Sequence, residues 1–476
     1  MTQFESVALP PRLPLIVETS NRAGSVDQDA RLVNCYIEIS KQQEIFIYRR
    51  PGLTSLGVIA DGQVGRGLFF WKGSVYSIFG SVLYKDGVSV GTGLNTTTAA
   101  QFNNGVYSFS EYLGATPKLV LMNGDEGYTY SIAGGVSATL NSINVDYPAT
   151  TVKGAAYLNG ATYVMQPQAV IWNSVVNSVD QPGDWSPINF ISAQIEPDPG
   201  VFLSKQLVYI VAFNAWSTEV FFDAGNAVGS PLGPVQGSKS SYGCANQDSV
   251  QRIDDKLFWV VTNQTASLQV GMMDQLSVTI ISTPSIDKLL ENINYDLMFS
   301  WQLKMDGHSF YIITFKNSNL TLAYDIVFDE WHQWTDTNGN YFPIVASTYD
   351  ASGNRIVQHE TNGRLYYITS NSYKDLNDPI QVDIYTPTFD ASTRRRKHLN
   401  IMTFIGDQVE GSVLNVRYTE DDYKSWGQFR QVDLGAKNPI LINCGTFTKR
   451  AYNLRHTKDC FFRLQAIEVQ YDIGVL

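Results

Sequence analysis

The side chains that most often carry chemistry are few and scattered in this sequence. Its five histidines, His308, His332, His359, His398 and His456, never fall within ten residues of one another, and neither H-E-x-x-H nor a Cys/His cluster occurs. A zinc site writes its ligands at tight spacing, so no metal site is expected. Cys35, Cys244, Cys444 and Cys460 include no C-x-x-C; they read as small buried apolar groups of a protein assembled in a reducing compartment. No G-x-S-x-G elbow and no phosphate-cradling G-x-x-x-x-G-K-[ST] loop is present. Glycine clusters at 65–73 and 87–93 sit where hairpin turns need them. Carboxylate doublets stand at Asp254-Asp255, Asp329-Glu330 and Glu420-Asp421-Asp422. A glycosidase needs two carboxyls about 5–10 Å apart across one bond. Neighbouring acids on a strand point to opposite faces, so these doublets read as turns. No catalytic residue and no cofactor is expected.

One charge feature remains, the run Arg394-Arg395-Arg396-Lys397. It is either a solvated loop or a contact with an acidic neighbour or DNA, and the four residues are taken as a candidate partner interface. Four consecutive cations cannot all face one substrate from a strand. Net charge is −11, and residues 380–476 carry 13 Lys and Arg against 11 Asp and Glu, so the acid excess lies in residues 1–379. An acidic surface does not grip phosphates, because nucleic-acid affinity comes from cations that displace counterions.

The elements that must position these residues are short strands. Phe69-Phe70-Trp71, Lys72-Gly73, Val75 to Phe79, Val82-Leu83-Tyr84 and Lys85-Asp86-Gly87 form one unit of apolar runs broken by glycine turns. The scheme returns at 155–173, at Leu207 to Phe213 with Glu219 to Asp223, at 310–325 and at 355–368. About seven degenerate copies at intervals of about 40–60 residues suit four-stranded blades stacked around an axis. A tandem of antiparallel sandwiches is the competing arrangement, since hairpins recur in any all-β fold. Helix is scarce, and the one convincing short piece is 284–291, where Thr283 or Ser285 can cap and Ile286, Leu289 and Leu290 share a face. After Asn377-Asp378-Pro379 the strands lengthen, and Gln465 to Tyr471 alternates as a half-buried strand does. The expected fold is all-β: a β-propeller of about six or seven blades with an additional C-terminal β-sandwich-like domain. Its expected divisions are an N-terminal arm with first strands (1–60), the propeller (61–375) and the C-terminal β-domain (376–476). The longest apolar run, Leu207 to Phe213, is far below the about 18 residues of a membrane helix.

Tyr418 to Trp426 resembles the Asp-box of sialidase-like propellers, S-x-D-x-G-x-[ST]-W. Thr419, Asp421, Ser425 and Trp426 fit, while Tyr423 replaces the glycine. In that setting the motif is a hairpin staple and not a catalytic site.

Arg31-Leu32-Val33-Asn34-Cys35-Tyr36-Ile37-Glu38, preceded by Leu13-Pro14-Leu15 and followed by Arg50-Pro51-Gly52-Leu53, resembles the packaged-DNA stabilisation proteins of short-tailed phages, the tail nozzle or hub family. The likeness continues in Val75 to Tyr84, Ser285 to Leu290, Tyr418 to Trp426, Val432 to Gly435 and Arg450 to Arg463. The resemblance implies a structural virion protein made in the bacterial cytoplasm and built into the tail. It further implies a homo-hexameric ring below the portal and its adaptor, a lumen passing double-stranded DNA without reading its sequence, and docking of tail spikes or fibres and of a plug or needle. It implies no catalytic residue and no membrane partner. The alternatives are a glycan-binding or glycan-cleaving propeller of a phage tail and a free-standing scaffold.

Overall fold

Tight hairpins set the architecture of the chain, whose computed structural model describes residues 11–15, 30–96, 105–193, 195–265 and 268–474. Lys72-Gly73, Asp86-Gly87, Asn159-Gly160 and Asp306-Gly307 each take positive φ at both positions. That conformation matches the right-handed twist of the strands it joins. Seven sheets of four strand positions result.

Blade one comprises Gly65–Trp71, Ser74–Phe79, Val82–Lys85 and Val88–Gly91; blade two runs from Ser108–Tyr112 to Gly135–Val136. Blade three spans Ala156–Leu158 to Trp185–Ser192, and blade four Gly200–Gln206 to Leu232–Pro234. In blade five the innermost position is split between Gly243–Cys244 and Gln251–Ile253, both paired to Lys256–Thr262. Blade six runs from Met298–Met305 to Glu330–Gln333. Blade seven takes Ile344–Tyr349, Arg355–His359 and Arg364–Thr369 from one end of the chain and Gly52–Val58 from the other.

That last pairing closes the ring. Leu53 lies opposite Ile368 and Thr54 opposite Tyr367. Closure shows equally in the packing, because seven apolar cores each join two neighbouring blades. Leu68, Val75 and Phe79 of blade one meet Ile356 and Leu365 of blade seven. Strands buried on both faces read as continuous apolar runs. Ile210 and Ala212 pack toward blade three, whereas Val211 and Phe213 pack toward blade five.

The apolar run expected to start a strand at Leu207 is corrected by the inner pairing. Gln206 faces Tyr209, so Leu207 (φ 52°) and Val208 form the exposed hairpin turn and the strand begins at Tyr209. Asp254-Asp255 turns between Ile253 and Lys256. The helix forms at Pro284–Leu290 with Thr283 as its cap, and Ile286, Leu289 and Leu290 are buried in the core shared by blades five and six.

Residues 31–49 and 382–473 form a β-sandwich. One sheet orders Arg31–Val33, Val382–Tyr385, Ala451–His456, Val413–Thr419 and Arg430–Asp433; the other orders Cys35–Ile39, Ile45–Arg49, Arg463–Ile473, Lys397–Gly406 and Ile440–Ile442. Leu32, Ile37, Ile47, Ile384, Leu414 and Ile467 are among its buried core. The first sheet continues into blade six through one parallel pairing, Val33 with Gln333. The expected arm 1–60 is thus divided: strands at 31–49 belong to the sandwich and 52–58 to blade seven, while 1–10 and 16–29 lie outside the described residues.

Candidate functional site: the propeller–sandwich junction and the axial cavity

Chain direction brings Asn34, Arg50 and Asp375 together where the sandwich meets the closing strand. Arg50 is 1% exposed. Its Nε donates to Asn34 Oδ1 at 2.8 Å, and its two terminal nitrogens reach Asp375 Oδ1 at 3.1 Å and Oδ2 at 2.5 Å. They also donate to the Pro51 and Thr335 carbonyls, both at 2.9 Å. The guanidinium lies over Phe342, 4.4 Å from the ring centre. Asn34 takes up the remaining capacity, donating to Thr335 Oγ1 at 2.7 Å and to the Gln381 carbonyl at 2.9 Å. One planar fork therefore ties the closing strand, blade six, the 374–375 strand and the sandwich into one body. Gly52 follows because a Cβ there would stand 2.4 Å from the Lys374 carbonyl oxygen. Asn34, Arg50 and Gly52 lie in the stretches that carry the family resemblance, whereas Asp375 does not, and their convergence has no local signature.

Two histidine pairs look like catalytic dyads and are not arranged as such. Arg49 donates to His456 Nδ1, which leaves the proton of the neutral ring on Nε2, facing Ser412 Oγ at 2.9 Å. Burial, followed by the Arg49 and Lys458 charges, lowers the His456 pKa to about 3. A ring that donates to the hydroxyl cannot take its proton, and both side chains are enclosed. His308 Nδ1 meets Asp325 Oδ2 at 2.6 Å, again with both partners buried between strands. Among the described residues, no group of three or more His, Cys, Asp and Glu side chains could hold a metal ion.

The basic run is split by the structure. Arg394, Arg395 and Arg396 are exposed on the loop leading into the Lys397–Gly406 strand, and no ion pair of theirs is seen among the described residues. Lys397 is fully buried: its Nζ donates to the Thr393 carbonyl at 2.5 Å and to the Thr448 carbonyl at 2.7 Å, beside the Phe447 ring. Its expected place in a partner interface is therefore corrected. Strand alternation turns it into the sandwich, where it anchors the base of the loop that presents the arginines.

The Asp-box-like turn forms as its spacing suggests. Asp421 Oδ1 accepts from Thr419 Oγ1 at 2.7 Å and from Ser425 N at 3.0 Å, and Oδ2 accepts from Ser425 Oγ at 2.5 Å. These bonds hold its carboxyl well below the usual carboxylate range. Tyr423 adopts φ 64° in place of glycine, and its hydroxyl donates to the Thr386 carbonyl at 2.7 Å. Asp421→Ala is expected to loosen residues 419–426 alone; amide exchange at Ser425 should quicken while blade amides keep their protection. Unchanged exchange at Ser425 would refute the staple.

Along the ring axis the inner strands of all seven blades enclose a cavity of about 660 Å³. Its wall carries Lys205, Arg252 and Glu111 among serines, glutamines and aromatic rings. The chain is thus a closed seven-bladed propeller fused to a sandwich, with His308, His332 and His456 buried and His398 exposed.

A family model described as "Phage_stabilise: Bacteriophage P22 Gp10, beta-propeller" matches residues 26–384. The chain belongs to this family of structural phage proteins. That membership makes it a virion component and speaks for a structural role over a catalytic one. No curated protein matches the sequence. Among solved structures, a catalytically inactive virginiamycin B lyase from Staphylococcus aureus with quinupristin is similar at 10% identity, over 67% of this chain and 98% of that one, with TM-score 0.43. The computationally designed Ika8 protein gives 8% identity over 67% and 99%, TM-score 0.38. The N-terminal domain of Nup159 gives 9% over 71% and 99%, TM-score 0.37.

Proposed function

We propose that this chain is a subunit of a phage tail nozzle, a ring below the portal and adaptor that retains packaged DNA, passes it on ejection and anchors spikes or fibres and a plug or needle. Family membership over residues 26–384 carries the reading. Physical features support it. A conduit for pressurised DNA must be stiff, and here seven inter-blade cores and the Arg50 fork lock the body into one piece. The acid excess outside the C-terminal region would repel phosphates from a lumen, whereas Arg394, Arg395 and Arg396 offer cations to an acidic neighbour. Exposed Ile188 and Phe190 on the outer strand of blade three, with Val228 on the adjoining loop of blade four, supply apolar area for a further contact.

Negative-stain microscopy of the purified chain, alone and with portal–adaptor complexes, is the decisive experiment. Six-fold rings are expected; monodisperse single propellers under both conditions would overturn the reading. Reversing Arg394, Arg395 and Arg396 to Glu should leave thermal unfolding unchanged and abolish ring or virion assembly. Normal ejecting virions carrying the triple variant would remove these arginines from the interface.

A further inference from the structure

The axial cavity is electrostatically opposite to the rest of the chain. The protein as a whole is acidic, yet the cavity wall sets two cations, Lys205 and Arg252, against a single carboxylate, Glu111. Lys205 Nζ donates to the Tyr157 carbonyl at 2.9 Å, and no carboxylate lies within ion-pair distance of it among the described residues. Desolvation and then the Arg252 charge lower its pKa, so the two cations feel each other. Arg252 Nε is engaged by the Asp254 carbonyl at 3.1 Å, and its guanidinium has only a half-exposed contact with Asp255 at 3.6 Å. Lys205 is thus a cavity-wall cation with no carboxylate partner, and an anion held beside it and Arg252 would supply one.

The rest of the wall is suited to a hydroxylated molecule. Ser110 and Ser204 line the cavity, and their hydroxyls make no hydrogen bond to protein among the described residues. The inner strand of each blade also turns a peptide edge toward the axis, part of which is already engaged, as where Lys205 Nζ reaches the Tyr157 carbonyl and Gln251 Nε2 the Ser300 carbonyl. Phe69 and Phe109 stack at 5.4 Å between centroids and give the same wall an apolar face. A volume of about 660 Å³ is that of a small-molecule site and far too narrow for duplex DNA.

The geometry points to a binding site for a small anionic saccharide, a hexose unit bearing a phosphate or a carboxylate. Its acid group would sit between Lys205 and Arg252, its hydroxyls on Ser110 and Ser204, and one sugar face against Phe109. This site is separate from the assembly surfaces and stands or falls without them.

The test uses the full chain in titration calorimetry with four probes: glucose 6-phosphate, glucuronate, glucose and inorganic phosphate. Saturable binding of one or both sugar acids is expected, and which of them binds identifies the acid group. Glucose and inorganic phosphate should each bind at least about tenfold more weakly, since each lacks half of the recognition. Lys205→Met and, independently, Arg252→Gln should each weaken the sugar acid about tenfold or more at an unchanged unfolding midpoint, with Lys205→Arg retaining binding. The assignment is overturned if neither sugar acid binds, if inorganic phosphate binds as tightly as they do, or if both folded variants bind like the parent chain.

Discussion

Arg50→Met is expected to lower the unfolding free energy by about 3–5 kcal/mol, the range for removing one partner of a buried ion pair. The substitution leaves the Asp375 carboxylate, which is 12% exposed at the side chain, without its cation. It also strips donors from the Pro51 and Thr335 carbonyls and from Asn34 Oδ1. Arg50→Lys should fall between the parent and Arg50→Met, because an ammonium keeps the charge and loses the fork. Urea denaturation followed by tryptophan fluorescence reads both. Hydrogen exchange adds location, with protection lost first in 52–58 and 364–369. An Arg50→Met protein whose midpoint and exchange match the parent would mean that the fork does not hold the closure.

Asp248→Ala is the second large effect. Lys153 and Asp248 meet at 2.5 Å with side chains 2% and 5% exposed, joining the segment that enters blade three to the turn between the two halves of blade five's inner position. Removing the carboxylate strands an ammonium in the interior, at a cost of about 3–5 kcal/mol. The double variant Lys153→Met with Asp248→Ala should recover most of it, since replacing both partners removes the uncompensated charge. The pH response has a definite sign. Desolvation outweighs the Asp248 attraction and lowers the Lys153 pKa. Between that lowered value and the ordinary lysine value of about 10.4, the unfolded chain holds a proton the folded chain does not, so this group's contribution to stability rises with pH. With Asp248→Asn the favourable carboxylate is gone and the lowering grows. The variant should therefore regain stability relative to the parent from pH 7 toward pH 10, and a gap that widens instead would contradict a buried ammonium.

What the sequence disclosed follows the range of the interactions involved. Hairpins at Lys72-Gly73 and Asn159-Gly160 were legible because positive φ is a local demand that glycine and asparagine answer locally. The helix was legible from Thr283, Pro284 and the spacing of Ile286, Leu289 and Leu290. Residues 376–476 were recognisable as a β-domain from their longer strands and, at Gln465 to Tyr471, from alternation. Pairing partners were not, because hydrogen bonding between Leu53 and Ile368, or between Ile45–Arg49 and Arg463–Ile473 on the far sheet of the sandwich, leaves no mark on nearby residues. Blade number stayed open for a related reason. Blade five splits its inner position, and blade two ends in a strand of two residues, Gly135–Val136. At the candidate sites, the run 394–397 was visible as charge, but only strand direction separates three exposed arginines from a buried lysine. Lys205 and Arg252 stand on neighbouring blades and show nothing in sequence to connect them.

The closing strand imposes an order on biosynthesis. Residues 31–58 leave the ribosome before any blade is made, and apart from the local hairpin of Cys35–Ile39 with Ile45–Arg49 their strand partners lie beyond residue 330: Gln333, the 364–369 strand, the 382–385 strand and the 463–473 strand. During translation of the six intervening blades this segment waits without its sheet neighbours, with Leu32, Ile37 and Ile47 lacking their eventual covering. A nascent chain halted before residue 364 can neither seal the circle nor hide those side chains, so an incomplete product carries its own marker for chaperones and proteases. Only a finished polypeptide presents a shape fit to be counted into a virus particle.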